Sequence, residues 1–94
     1  MAEFTVTNVV DGDTFDVNGW RWNGDEGTRV RPTGYDAPEL PTYQGVHAKE
    51  RLTRLILGRT VEITAAHTID RGRLVADVFY NGKALSGYFP EYKT

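Results

Sequence analysis

One segment of the sequence, between Tyr43 and Gly58, has the periodicity of an amphipathic helix, and it divides two stretches of alternating, strand-like sequence. Thr42 stands where a helix-capping residue is expected, and Gly58 stands where a left-handed glycine commonly follows a helix end. Apolar side chains recur at positions i, i+4, i+7 and i+8, on one face of a helix: Ala48, Leu52, Leu55 and Ile56. The sequence therefore predicts one helix flanked by strands.

Three strands are predicted before this helix. Alternating apolar residues lie on both sides of the Asp-Gly-Asp-Thr sequence at 11–14, which predicts a hairpin between Phe4 and Val17. Residues 19–28 contain three glycines and two tryptophans, and we expect a long hairpin loop there. A third strand is expected over residues 28–35, in which Arg31 and Tyr35 would point to the same face.

Two more strands are predicted after the helix. One contains the alternating apolar residues at 61–65, and the other covers residues 74–80 before an Asn-Gly turn. Three strands, one helix and two strands, in this order, are the arrangement of the OB fold, a five-stranded Greek-key barrel with a helix between strands 3 and 4. We therefore expect a mainly β (β+α) protein in which residues 1–94 form a single domain.

Composition limits the classes of function. The chain has no cysteine, which excludes disulfides and thiolate metal sites, and its formal net charge is −2. A protein devoted to non-specific nucleic-acid binding is usually basic, so the overall charge argues mildly against that role and leaves a local cationic site open. No stretch is long or apolar enough to span a membrane. The beginning "MAEFTVTNVVDGD" lacks the layout of a secretory signal, so we expect a cytoplasmic protein by default.

The stretch "VRPTGYDAPE" at 30–39 places charged residues on backbone that cannot be helical. Pro32 and Pro38 fix φ and push the preceding residue toward extended geometry, so a stiff loop is expected over residues 36–42. Three charged residues lie in this stretch: Arg31, Asp36 and Glu39. Surface ion pairs among them are one explanation, but such pairs contribute only about 0–1 kcal/mol.

Two turns elsewhere carry further charges. Asp11 and Asp13 flank a glycine in the first hairpin, and Arg71 and Arg73 bracket a glycine before the last strand. Converging carboxylates bind hard cations such as calcium, and arginine binds phosphate oxygens through two N–H groups at once. Taken alone, each turn is better explained as an ordinary solvated surface turn. Together with the 30–39 stretch, however, they supply what phosphodiester hydrolysis needs: a metal site, a base that activates water, and cations for the phosphate.

Three motifs resemble those of the staphylococcal nuclease (thermonuclease) family. They are "VVDGDTF", "VRPTGYDAPE" and "DRGRLVADVFYNGK", and the match extends from about Phe4 to Lys83 with the helix between the second and third motifs. The resemblance implies a calcium-dependent nuclease that acts on single-stranded DNA or RNA, cleaves the P–O5′ bond and leaves 3′-phosphate ends. Nucleic acid would then be its partner, as substrate, and Ca²⁺ its cofactor.

The resemblance also implies roles for individual residues. Asp13 and Asp36 match the family's calcium ligands, and the backbone carbonyl of Ala37 matches a third ligand. Asp11 is a turn residue on this comparison.

Catalytic roles follow in the same way. Glu39 matches the general base, and Arg31 and Arg73 match the two arginines that clamp the phosphate. Arg71, in the same turn as Arg73, is a candidate substrate-binding residue.

The sequence departs from the family pattern in three places. The "DRGR" turn lacks the tyrosine found before the glycine in the family, and the chain ends at Thr94, where the family continues into a C-terminal helix, so a truncated helix is expected. Trp20 and Trp22, separated by Arg21, are unusual. They would either stack on exposed bases or fold back over core that the missing helix leaves bare, and the second is favoured.

Two alternatives stay open from the sequence. The chain could be a catalytically weak or inactive nuclease-like module that binds nucleic acid or a protein partner. The aromatic tail, with Tyr88, Phe89 and Tyr92, could pack against the barrel end or serve self-association.

Overall fold

The computed structural model describes residues 2–94, which form six strands, one α-helix and two short 3₁₀ helices. In chain order, the elements are β1 (Ala2–Asp11), β2 (Thr14–Trp22), β3 (Asp25–Pro32), α1 (Tyr43–Ile56), β4 (Thr60–Asp70), β5 (Arg73–Tyr80) and β6 (Lys83–Ala84), followed by 3₁₀ helices Leu85–Tyr88 and Pro90–Tyr92. No helix among the described residues has both the length and the apolar character needed to cross a bilayer.

The first five strands close into a barrel. Antiparallel pairing gives the order β3-β2-β1-β4-β5, and β3 then pairs with β5 in parallel, while β6 adds only a short pairing to the edge of β5. Closure leaves the five long strands without a free edge. The predicted OB-like barrel, with one helix between strands 3 and 4, is confirmed.

Helix α1 follows its predicted signals. The side chain of Thr42 accepts a hydrogen bond from the backbone N–H of Gly45, and Gly58 has a left-handed φ of 76° just beyond the C-cap. Ala48, Leu52 and Ile56 are fully buried against the barrel, because the apolar spacing places them on one face. The loop predicted over residues 36–42 is also present.

The long loop predicted over residues 19–28 is wrong. Strand β2 continues to Trp22 and β3 begins at Asp25, so only Asn23 and Gly24 form the turn. Both have positive φ, 52° and 86°, which is the geometry of a tight hairpin turn with asparagine followed by glycine. The glycines belong to the strands and their turn, and β3 consequently covers residues 25–32 rather than 28–35.

The two tryptophans lie against the core. Trp20 is buried, and its indole N–H donates to the carbonyl of Arg29 at 2.9 Å, while Trp22 is partly buried against the same core. Gly27 makes room for Trp20, since a Cβ on Gly27 would lie 2.7 Å from the indole ring. The ring of Trp20 therefore covers core, the second of its two predicted roles, and is not exposed for stacking on a base.

Residues 85–94, here called the C-terminal tail, cover one end of the barrel. Phe89 is buried, and its ring stacks on Tyr35 at 5.0 Å between centroids and on Tyr92 at 6.2 Å. The guanidinium of Arg51, on α1, lies 4.7 Å from the centre of the Phe89 ring. The tail aromatics are therefore packed within their own chain, and self-association through them stays a prediction.

Candidate active site

A cavity of about 440 Å³ lies where the β1–β2 turn, the loop after β3 and the β4–β5 turn meet. Nine residues from these three segments and from the strand ends next to them line it: Asp11, Asp13, Arg31, Asp36, Ala37, Pro38, Glu39, Arg71 and Arg73. Every residue predicted to bind metal or to act in catalysis is among them. Trp20 and Trp22 are not.

The parallel pairing of β3 with β5 brings two of the arginines together. Arg31 lies opposite Val75 in this pairing, and Arg73 precedes Val75 by two residues. Because residues two apart in a strand share a face, Arg31 and Arg73 are diagonal neighbours on the outer face of the barrel. The barrel closure therefore explains why residues 42 positions apart (73 minus 31) line one cavity.

The β1–β2 turn is packed tightly against its neighbours. Asp11 Oδ1 accepts a hydrogen bond from the backbone N–H of Asp13 at 3.1 Å, which closes the turn. A Cβ on Gly12 would lie 2.6 Å from the Cβ of Ala48 and 2.7 Å from that of Ala37, so only glycine fits. Helix α1 and the loop after β3 thus pack directly on the glycine between the two aspartates.

Asp13 is the most perturbed acid in the cavity. Burial, above all, and a hydrogen bond with the Asp11 side chain raise its pKa from 3.8 to about 6, against the lowering effects of the Ala37 N–H and Arg31. The Ala37 N–H donates to Asp13 Oδ2 at 2.9 Å. A charged Asp13 is therefore costly in this site unless a further cation is present.

Arg31 lies between two of the carboxylates. Its Nη2 is 3.5 Å from Asp13 Oδ2 and also donates to Asp36 Oδ1. Its Nη1 donates to the carbonyls of Pro32 and Tyr35 at 2.8 and 3.0 Å. The backbone thus fixes the orientation of the guanidinium, and one cationic group contacts both aspartates.

The donors in the cavity fit calcium in kind. Calcium prefers six to eight oxygen ligands, largely carboxylates, carbonyls and water, and the acids here supply only oxygen. Asp13 and Asp36 already contact one cation, the Arg31 guanidinium, so their carboxylates lie within reach of a shared positive charge. Among residues 2–94, however, no three acidic, histidine or cysteine side chains converge into a ready-made metal cluster. Water or substrate oxygens would have to complete the coordination.

Glu39 is held by the start of helix α1. Its backbone carbonyl accepts hydrogen bonds from the Thr42 hydroxyl at 2.5 Å and the Thr42 N–H at 3.2 Å. Gly45 packs directly on this backbone, since a Cβ there would lie 2.2 Å from the Glu39 carbonyl oxygen. The side chain of Glu39 is exposed to the cavity, so water has access to it.

The β4–β5 turn is short. Asp70 and Arg73 face each other across it, and Arg71 and Gly72 both have positive φ, 54° and 78°. Arg73 donates to Asp70 twice, from Nη2 to the carboxylate at 2.8 Å and from Nε to the carbonyl at 3.3 Å. Without the tyrosine that the family has before this glycine, Arg71 and Gly72 alone form the turn, and Asp70 orients Arg73 across it.

Tyr35 contacts residues of the site, although no role was predicted for it from the sequence. The predicted shared face with Arg31 is wrong, because β3 ends at Pro32 and the backbone turns at Gly34, where φ is 93°. Tyr35 is consequently buried, and burial raises the pKa of its phenol further above the usual range. Gly34, directly before Tyr35, is the one residue in this stretch of sequence that could have indicated the end of the strand alternation.

No protein-family model and no curated protein matches this chain. The likeness to the staphylococcal nuclease family therefore rests on the three motifs.

Proposed function

We propose that this protein is a calcium-dependent nuclease that hydrolyses phosphodiester bonds of single-stranded DNA or RNA and leaves 3′-phosphate ends. One observation carries the proposal: acids and arginines from three separate segments line a single cavity. Isolated surface ion pairs would not require such convergence. Single-strand preference and the position of the cleaved bond come from the resemblance in the three motifs.

Asp13, Asp36 and the carbonyl of Ala37 are the groups that would hold the metal. Calcium, when bound, would neutralise and orient the phosphate. Asp13 and Asp36 are suited to this role because both carboxylates already lie beside one shared cation, the Arg31 guanidinium. Asp11 supports the site by closing the turn.

Glu39 is the proposed general base. Its carboxylate would take a proton from water as the water oxygen attacks phosphorus, and the P–O5′ bond would break on the opposite side, with O5′ taking its proton from solvent. The exposed position of the side chain, on backbone fixed by Thr42 and Gly45, supports this role.

Arg31 and Arg73 are the proposed phosphate clamp. Negative charge grows on the non-bridging oxygens as the bond breaks, and donors already aimed at that position stabilise it without reorganisation. Backbone carbonyls orient Arg31, and Asp70 orients Arg73. Arg71 lines the same cavity and would contact a neighbouring phosphate.

Digestion of single-stranded DNA tests the proposal directly. Purified protein is incubated with 5′-labelled DNA in calcium, and then in calcium with excess EDTA. We expect cleavage that depends on calcium and products that a 3′-phosphatase shifts on a sequencing gel. No cleavage in calcium, or cleavage that EDTA leaves unchanged, would refute a calcium-dependent nuclease.

A binding module without catalysis is the second candidate. The observation that favours it is the pairing of Arg31 with Asp13 and Asp36, which already satisfies these charges within the protein. Calorimetric titration with calcium separates the two candidates, since a module of this kind needs no calcium site.

A further inference from the structure

Tyr35 joins two parts of the candidate site. Its buried hydroxyl donates to the carbonyl of Gly12 at 2.9 Å, and Gly12 lies between Asp11 and Asp13. Its own carbonyl accepts from Arg31 Nη1 at 3.0 Å. One residue thus contacts the turn that carries the aspartates and the arginine that pairs with them.

The C-terminal tail holds the segment around Tyr35 from the other side. Phe89 stacks on the Tyr35 ring, with only 14° between the ring planes. The backbone N–H of Asp36 donates to the carbonyl of Tyr92 at 2.9 Å, and the N–H of Thr94 donates to the carbonyl of Gly34 at 3.1 Å. Residues 34–36 therefore lie between the β1–β2 turn and the tail.

Arg51 fastens the tail to helix α1. Its Nη1 is 2.5 Å from Glu91 Oε2, and its Nη2 donates to the carbonyl of Tyr88 at 3.0 Å. Its guanidinium also lies over the rings of Phe89 and Tyr92. One helix residue thus makes four contacts with residues 88–92 of the tail.

We infer that Tyr35 is a positioning residue for the calcium site. Arg51 supports this positioning because it holds the C-terminal tail, which packs on Tyr35, against helix α1. The inference rests on the proposed function. The Tyr35 hydroxyl restrains the Gly12 carbonyl and so the separation of Asp13 from Asp36, on which affinity for a shared cation depends. The tail restrains Asp36 directly through the bond from its N–H to Tyr92.

Calcium titration of matched tyrosine variants tests the first part. Tyr35→Phe removes the hydroxyl but keeps the ring, so the stacking on Phe89 and the fold are retained. Tyr80→Phe is the control, because Tyr80 is a buried tyrosine outside the tail whose hydroxyl also makes a single hydrogen bond, accepting from Arg59 Nη1 at 3.1 Å. Loss of one such bond corresponds to roughly 3–10-fold in an equilibrium constant. We expect calcium affinity to fall by that factor in Tyr35→Phe and to stay at the wild-type value in Tyr80→Phe.

The outcomes separate this inference from the proposed function. If the wild-type protein binds no calcium, the proposed function fails and the inference fails with it. If the wild type binds calcium and Tyr35→Phe binds it equally well, only the inference fails. Equal weakening in both tyrosine variants would mean that general stability, and not positioning, governs the affinity.

Hydrogen exchange of the Asp36 amide tests the role of Arg51. Arg51→Met removes the ion pair and the ring contact, and Arg54→Met is a control on the exposed surface of the same helix. We expect exchange at Asp36 to be at least about tenfold faster in Arg51→Met than in Arg54→Met, because a protecting tail contact is lost. The same exchange rate in both variants would overturn the role given to Arg51.

Discussion

The Nη2 atom of Arg31 lies 3.5 Å from Oδ2 of Asp13, and both side chains are largely buried, with 19% and 14% of their surfaces exposed. Arg31 offsets part of the charge of Asp13, but it also contacts Asp36, so one positive charge is shared between two acids. Burial outweighs this attraction and raises the pKa of Asp13 to about 6.

Without calcium, Asp13 should make stability fall as pH rises from about 4 to about 6. Its pKa is raised from 3.8 to about 6, so the folded state binds the proton more tightly than the unfolded chain does. The folded state then holds more protons throughout this window, and the free energy of unfolding decreases with pH. Asp13→Asn removes this dependence. Its stability relative to wild type should increase by up to about 3 kcal/mol between pH 4 and pH 7.

Urea unfolding in EDTA at several pH values measures this difference. A difference between Asp13→Asn and wild type that does not change with pH would contradict the raised pKa. In calcium, the wild type should recover stability near pH 7 that the variant does not, because a ligand stabilises only the state that binds it.

Glu39→Gln should reduce turnover by roughly 10²–10⁴, which is the usual contribution of a general base. Glutamine is nearly the same size, so the loop contacts through the Glu39 backbone should persist. Initial rates on single-stranded DNA give the value. Glu50→Gln, on an exposed position of α1, is the matched control. An unchanged rate in Glu39→Gln would remove Glu39 from the mechanism.

Arg73→Lys should lower kcat by roughly 10²-fold, since one preorganised donor to a growing negative charge is lost. Lysine keeps the charge but cannot reproduce the planar, two-pronged contact. It also cannot keep both hydrogen bonds to Asp70, which orient Arg73. Steady-state kinetics of Arg73→Lys give kcat and KM, and Arg54→Lys, at an exposed position of α1, is the control for the same substitution outside the cavity. A rise in KM with kcat unchanged would assign Arg73 to ground-state binding instead.

Gly45→Ala should destabilise the protein, against the usual trend in helices. Alanine normally stabilises a helix by about 0.5–1 kcal/mol over glycine. Here the added Cβ would lie 2.2 Å from the carbonyl oxygen of Glu39, so the loop or the helix start must move. We expect a loss of about 1–3 kcal/mol in the free energy of unfolding. Gln44→Ala, one residue earlier and exposed, is the control, and a gain in stability in Gly45→Ala would contradict the contact.

Local sequence signals predicted most of the fold. The spacing of apolar residues and the Thr42 cap gave helix α1, because a helix satisfies its hydrogen bonds within a short segment. The same approach went wrong at residues 19–28, where a count of glycines outweighed the Asn-Gly pair at the actual turn. A glycine can stand in a loop, but it can also stand in a strand where a large ring lies close to the backbone. At Gly27 the second explanation holds, because the ring of Trp20 packs directly on it, and this contact cannot be read from the local sequence.

The candidate site was predictable only in part. Ordered motifs identified the acids and arginines that line the cavity, since their residue types report their chemistry directly. Tyr35 was missed because its role depends on contacts with Gly12 and Phe89, which are 23 and 54 positions away (35 minus 12, and 89 minus 35). Pairings of this kind are set by tertiary packing and leave no local pattern.

The position of Thr94 affects how the protein can be handled and extended. Thr94 lines a second cavity, of about 360 Å³, together with Arg31 and Arg73. Any peptide joined after this residue leaves the barrel beside these two arginines. An acidic fusion there would compete with a polyanion for them, whereas Ala2, where β1 begins, pairs with Ile63 of β4 and does not line this cavity.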